Sequence, residues 1–403
     1  MATPKDLRTL VDLAKTTQTL LTHYQSSLLP SSSLSTNNTP STALANPLDA
    51  IKASTTLLRS HTTTLSLLLI TPPLTPSAVI AKIGDVSAGV LSGLVAAAAS
   101  TPGAGEIDSL GSIMRAELRD QVRRLLGSWG DVLALVINMA ERRAALSNPG
   151  SKDTKGKDTG PSDTEKQDVL SATGVVWKAC DALLKLCADG VVGLVSKKAE
   201  QLRAVLLDAI TELKEWGEDV DDSDDDEAAG SDRDEDNAFA DEDDIFGASN
   251  RLGKGDVELK ALLDLSVKKL RMVGLLYQAL IKRRLRTYPG VSVSAAAGKS
   301  PSPSTNDTDT PAPNTPPAKN SPLPPSPSET LDLLMAALKR IPEAVDDLAS
   351  AFYDLDEPEA RDGLEKCVKE ARGAVELVRL GWRGEEDEFT VWAGKWVGAL
   401  DAA

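Results

Sequence analysis

From Ile107 onward the apolar residues Leu110, Met114, Leu118, Val122, Leu125, Trp129, Val132, Val136 and Met139 follow one another at steps of three and four. Only a 3.6-residue repeat puts such positions on one side, so about 33 residues, roughly nine turns, are expected to form a single amphipathic helix. A helix of that length hides its stripe best against other long helices, and the chain supplies them. Val195, Ala199, Leu202, Leu206, Ala209, Leu213 and Trp216 make a second stripe, and Val257, Leu263, Val267, Leu270, Gly274, Tyr277 and Ile281 a third. Ile341, Val345, Leu348 and Phe352, then Leu364, Val368, Val375 and Val378, close the series, while strand-like alternation is nearly absent. The pattern predicts an all-α chain with helices near 3–29, 43–70, 76–100, 106–147, 165–188, 190–217, 256–288, 329–355, 357–382 and 385–401. Asn46-Pro47 and Thr75-Pro76 place a capping residue before a first-turn proline, and Ser328-Glu329 is expected to open the helix near 329.

Four stretches interrupt the stripes: 30–42, 148–165, 218–255 and 289–328, rich in Ser, Thr, Pro, Gly or acids. Such compositions bury too little apolar surface to offset the entropy of ordering, so they are read as disordered. The 403 residues carry a net charge of −16, yet 218–244 alone holds 16 acids and one base, Arg233, leaving the remainder nearly neutral. The acidic tract is therefore taken as the boundary between two antiparallel helical bundles, of the kind found in vinculin and alpha-catenin. The N-terminal bundle is expected at 1–217 with inserts 30–42 and 148–165, the acidic linker at 218–255, and the C-terminal bundle at 256–403 with the Pro/Ser/Thr-rich insert 289–328.

The residue inventory points away from catalysis. Two histidines, His23 and His61, and three cysteines, Cys180, Cys187 and Cys367, leave no metal-ligand spacing and no His-based triad. No phosphate-cradling glycine motif follows a strand, and Gly84, Gly89 and Gly93 read instead as helix-packing positions. Trp177, Val176 and Cys180 are assigned to the core of the first bundle, with Asp346 and Asp347 on a helix surface. Met1–Leu10 contains Lys5, Asp6 and Arg8 where a signal peptide needs an apolar run, and Val86–Ala99 reads as too short to cross a bilayer. A soluble intracellular chain without cofactor, membrane contact or direct nucleic-acid binding is expected.

What remains are interaction signals. Asp243, Asp244, Ile245 and Phe246 set apolar residues beside acids, as a short docking motif would. Ser223 and Ser231 each precede an aspartate by three residues, and Ser300, Ser302, Thr310, Thr315, Ser321 and Ser326 each precede a proline, so all eight are candidate phosphorylation sites. Lys282-Arg283-Arg284-Leu285-Arg286 complements a helix C-terminus and has the composition of a nuclear-import run. Cyclin-docking patterns at Arg123-Arg124-Leu125-Leu126 and Lys268-Lys269-Leu270 are discounted, because their leucines fall on core stripes.

Several short elements resemble the cyclin-D-binding protein family, also called Grap2 and cyclin-D-interacting. Thr173-Gly174-Val175-Val176-Trp177-Lys178-Ala179-Cys180-Asp181 is similar to its [ST]-x-V-W-x-A-C element, after a long helix bearing Leu118, Arg119 and Asp120. Asp243–Gly247, Lys268–Met272 and Pro342–Ala349 with Tyr353 resemble later family elements in the same order. The resemblance implies a non-enzymatic, two-domain helical protein of cytoplasm and nucleus that binds D-type cyclins and helix-loop-helix factors and restrains the cell cycle. The longer segment 289–328 and the insert 148–165 depart from the family pattern. A reading of another class is a cytoskeletal adaptor that binds actin or an adhesion-protein helix.

Overall fold

A computed structural model describes residues 4–30, 44, 46–103, 108, 110–146, 160–218, 252–253, 255–289 and 325–403. Ten α-helices dominate them, and no strand occurs among the described residues. The all-α expectation therefore holds. The expected segments 30–42, 148–165, 218–255 and 289–328 lie largely outside the described residues.

The chain divides into two compact units, Met1–Leu194 and Val195–Ala403. The first holds α1 (Pro4–Ser27), α2 (Pro47–Ile70), α3 (Pro76–Asp85), α4 (Leu91–Ala99), α5 (Gly111–Leu146) and the first part of α6 (Asp163–Glu218). The periodic stripe of α5 is the spine of its core: Met114, Leu118, Val122, Leu125, Trp129 and Val136 are all buried. Each leucine so covered stabilises the fold by about 1.5–3 kcal/mol. Helix α1 runs antiparallel to α5, since Lys15 pairs with Glu141 at 2.8 Å, and the Gln18 and Gln25 side chains donate to the carbonyls of Gly130 and Arg123. The ordinary value of the Asp108 carboxyl is lowered chiefly by its hydrogen bond from Arg115, whose guanidinium also donates to the Ser100 carbonyl and so ties the end of α4 to the start of α5.

A π turn, Val86–Val90, joins α3 and α4 into one rod from Pro76 to Ala99. By length and composition this rod could cross a bilayer, which the reading of Val86–Ala99 alone missed. Its stripe Val79, Ile83, Val86, Val90, Leu91 and Leu94 is buried in the core of the first unit. The glycine reading needs correction: a side chain at Gly93 would meet Ser54 Oγ at 3.1 Å, but Gly84 and Gly89 face open space. Asn46 and Thr75 do stand at the caps of α2 and α3 with proline following, although neither side chain makes the capping hydrogen bond.

Helix α6 is broken at Gly190, whose φ of 64° and ψ of −167° are not helical. Left-handed φ is open to glycine and strained for other residues. The break matches the expected gap between the helices at 165–188 and 190–217. The division between the units, however, falls at 194/195 rather than at the acidic tract, so nearly all of the later part of α6 packs with the C-terminal helices. Sequence spacing gives a stripe's phase but not its partner.

The second unit adds α7 (Val257–Ala279), α8 (Pro327–Tyr353), α9 (Glu357–Leu377) and α10 (Glu388–Ala402). The later part of α6 lies antiparallel to α7: Arg203 Nε donates to the Gly274 carbonyl at 3.2 Å, and Gly217 abuts Leu263. Helices α8 and α9 are likewise antiparallel, bridged by Arg340–Glu370 at 2.8 Å and Asp347–Lys366 at 2.6 Å. Asp347 is thus a surface charge, as expected. Helix α8 starts earlier than predicted, at Pro327, because Ser326 forms a capping box with Glu329.

The end of α7 widens into a π turn, Leu280–Arg284, then a 3₁₀ turn, Leu285–Thr287. Arg284 points inward and is 0% exposed. Its guanidinium binds Asp387 at 2.6 and 3.0 Å, donates to the Arg379 carbonyl at 3.0 Å, and lies 4.6 Å from the centre of the Phe389 ring. Asp387 also caps α10, accepting from the backbone N–H of Phe389 and Thr390. The run 282–286 is therefore not a continuous exposed basic string: its central arginine is a core residue.

Candidate interaction surface

The first part of α6 carries the nine residues Thr173–Asp181. Its core stripe is Val169, Thr173, Val176, Cys180, Leu183 and Cys187, at steps of three and four. Val176 and Cys180 are both fully buried, as expected. Trp177 is not: it lies one position off that stripe and is 37% exposed. The expectation that it belongs to the core is thus corrected, for a physical reason the spacing already contained. Its indole sits beside the Arg59 guanidinium of α2, 5.8 Å from the ring centre, and Arg59 is ion-paired with Asp181 one turn further along α6. This cation–π and ion-pair arrangement holds the ring against α2 with one side open to solvent.

Leu170 and Trp177 are seven residues apart, so they share a face, and both are exposed. Val175, on the other flank of the same outer surface, is exposed as well and lines a groove of about 320 Å³ between α5 and α6 with Ser128, Asp131, Leu135 and Asp168. Near the start of α6, Glu165 pairs with Arg142 of α5 at 2.5 Å. The outer side of α6 therefore presents large apolar groups at its edges, with Lys178 and Lys185 between them. Such a face can bind another protein by burying those groups.

The cysteines and histidines stay outside any reactive cluster in the described residues. No group of three His, Cys, Asp or Glu side chains there is placed to hold a metal. Burial pushes the Cys180 and Cys187 thiols up to about 11 and that of Cys367 up to about 12. Thiols that remain protonated at neutral pH are poor nucleophiles. His23 is on the surface, its ring 6.3 Å from Tyr24.

Of the candidate sites, Asp243, Asp244, Ile245 and Phe246, and Ser223, Ser231, Ser300, Ser302, Thr310, Thr315 and Ser321, lie outside the described residues. Ser326 is described, and its hydroxyl is occupied as the α8 cap, accepting from the Glu329 N–H at 3.3 Å. The discounted docking patterns are closed as expected: Leu125, Leu126 and Leu270 are all fully buried. In the second unit, Trp216 packs at 5.5 Å against Tyr353 and 6.3 Å from Phe352, tying the end of α6 to the α8 element.

Fold and surface together define a helical-bundle protein whose exposed features suit contact with other proteins. Residues 50–219 match the family model described as Grap2 and cyclin-D-interacting, N-terminal, which supports assigning the chain to the cyclin-D-binding protein family. The chain is also similar to an uncharacterized protein of Schizosaccharomyces pombe, 23% identical over 358 residues, covering 89% of this chain and 85% of that one. The family match includes all of α6 and hence Trp177 with its partners Arg59 and Asp181.

Proposed function

We propose that this chain is a non-enzymatic interaction regulator that binds a D-type cyclin or a helix-loop-helix factor and thereby modulates cell-cycle progression or transcription. The observation that carries the reading is the family match over 50–219, whose description names cyclin D interaction. The exposed Leu170–Trp177 face within that match supplies a contact surface. A regulator of this kind works in both cytoplasm and nucleus.

Affinity capture of the tagged full-length chain from its own cells, with partners identified by mass spectrometry, tests the proposal. A cyclin or helix-loop-helix factor is expected among the enriched proteins, and Trp177→Ala is expected to weaken its recovery by about tenfold, the effect of losing an interface hot spot. Enrichment of actin or junction proteins in place of those partners would transfer the chain to the adaptor class.

A further inference from the structure

The C-terminal unit carries a second surface with chemistry of its own. A groove of about 500 Å³ runs between the end of α7 and α10. Its floor is apolar, formed by Met272, Leu275 and the indole of Trp392. Leu275 is 54% exposed, high for a leucine in the middle of a long core helix. The groove wall is fixed: Trp392 stacks on Trp396 at 6.1 Å, and Trp396 Nε1 donates to the Met272 carbonyl at 2.9 Å. The rim is cationic, with Lys282, Arg283 and Lys395 all exposed and no acidic residue lining the groove. Among the described residues none of these three cations makes an ion pair.

Other grooves of the unit lack this combination. Between α7 and α9, Glu365 lines the wall, and Arg361 and Arg372 are engaged by Glu357 and Asp401. Between α6 and α7, Glu218 and Asp264 offset the lysines.

We infer that the α7–α10 groove is a docking site for an acidic amphipathic helix of a partner protein, its apolar residues seated on Leu275 and Trp392 and its carboxylates on Lys282, Arg283 and Lys395. The inference rests on the reading of the chain as a protein-binding module and names a surface and a peptide chemistry for it. Charge complementarity carries the choice of occupant. Three cations without an acidic partner among the described residues, set around an apolar floor, favour carboxylates flanking aliphatic or aromatic side chains, and disfavour a basic or neutral helix by repulsion or idle desolvation. The wall from Trp392 to Ala399 is about 10 Å long, the span of two helical turns.

The test uses the full chain and a fluorescent synthetic helix of about 15 residues, with Leu and Phe on one face flanked by Glu, beside its Gln counterpart. Anisotropy titrations are expected to show the Glu peptide binding roughly tenfold more tightly than the Gln peptide, with affinity falling as salt rises. The pair Lys282→Glu and Arg283→Glu, both exposed and so compatible with folding, is expected to remove that preference and to favour a Lys-flanked peptide. Leu275→Asp is expected to abolish binding of either. Equal affinity for Glu and Gln peptides, or an unchanged preference in the charge-reversed variant, would overturn the inference. So would tighter peptide binding when Asp241, Glu242, Asp243 and Asp244 are neutralised, which would make the chain's own acidic segment the occupant. Equally strong binding to phosphatidylserine vesicles, lost in the same variants, would make the surface a membrane site instead. Failure here is separable from failure of the functional reading: a charge-reversed chain that still captures its cyclin or helix-loop-helix partner leaves that reading intact and removes only the groove.

Discussion

Arg284 shows how far one residue can depart from its sequence context. Within Lys-Arg-Arg-Leu-Arg it has the composition of a solvent-facing string, but the π turn rotates it into the core, where Asp387 binds it with both oxygens. Asp387→Ala leaves a fully buried guanidinium without its counter-ion and also removes the α10 cap. Urea unfolding is expected to show a loss of about 3–5 kcal/mol, against a change within about 0.5 kcal/mol for the exposed neighbour in Arg283→Ala. Burial alone would raise the Asp387 carboxyl, but hydrogen bonding and charge from Arg284, with the Thr390 and Phe389 N–H groups, hold it below its ordinary 3.8. A carboxyl depressed in the folded state contributes stability above its unfolded value and loses it as pH falls through the folded one. The acid limb of unfolding below about pH 4 should therefore be shallower in Asp387→Ala than in the parent. The thiols give an independent check of burial: a thiol reagent at neutral pH should label Cys180, Cys187 and Cys367 slowly in the native chain and rapidly in denaturant. Trp177 was misjudged from sequence because residue type outweighed phase. Placed on the α6 stripe 169, 173, 176, 180, it falls one step outside, and that offset was readable.

At the scale of elements, helix existence was legible and helix partnership was not. Long runs at steps of three and four located α5, the later part of α6, α7, α8 and α9, since burial of a stripe is a local demand on the sequence. The start of α8 moved because Ser326 and Glu329 together make a reciprocal cap, a pattern hidden when Ser326 is read only as a Ser-Pro step. Gly190 is the clearest backbone determinant. A Cβ there would meet nothing within 4 Å, so the cost of Gly190→Ala is conformational, about 1–2 kcal/mol from the left-handed φ. Gly373 in α9 also faces open space but is helical, and Gly373→Ala is expected to stabilise by up to about 1 kcal/mol. Opposite signs for these two identical substitutions, measured by thermal or urea unfolding, are the expected outcome.

On the scale of the whole molecule, the two-bundle organisation was legible and its dividing line was not. The acidic tract dominates the charge pattern, and so drew the boundary toward 218; packing instead assigns the later part of α6 to the second unit. The α7–α10 groove was also hidden, because Leu275 and Trp392 come together only when α7 and α10 pack. The family match likewise ends at 219, beyond the first compact unit, so it covers a helix that the first unit does not house. This has a consequence for the chain as it leaves the ribosome. The first unit has all its helices once Leu194 has emerged, whereas the stripe through Leu206, Ile210 and Leu213 must wait for α7 and α8. Translation from Glu218 to Tyr353 takes on the order of 10 s. For that interval the amphipathic later part of α6 has none of its fold partners, and its tryptophan gains its aromatic neighbours only when the end of α8 arrives to receive Trp216.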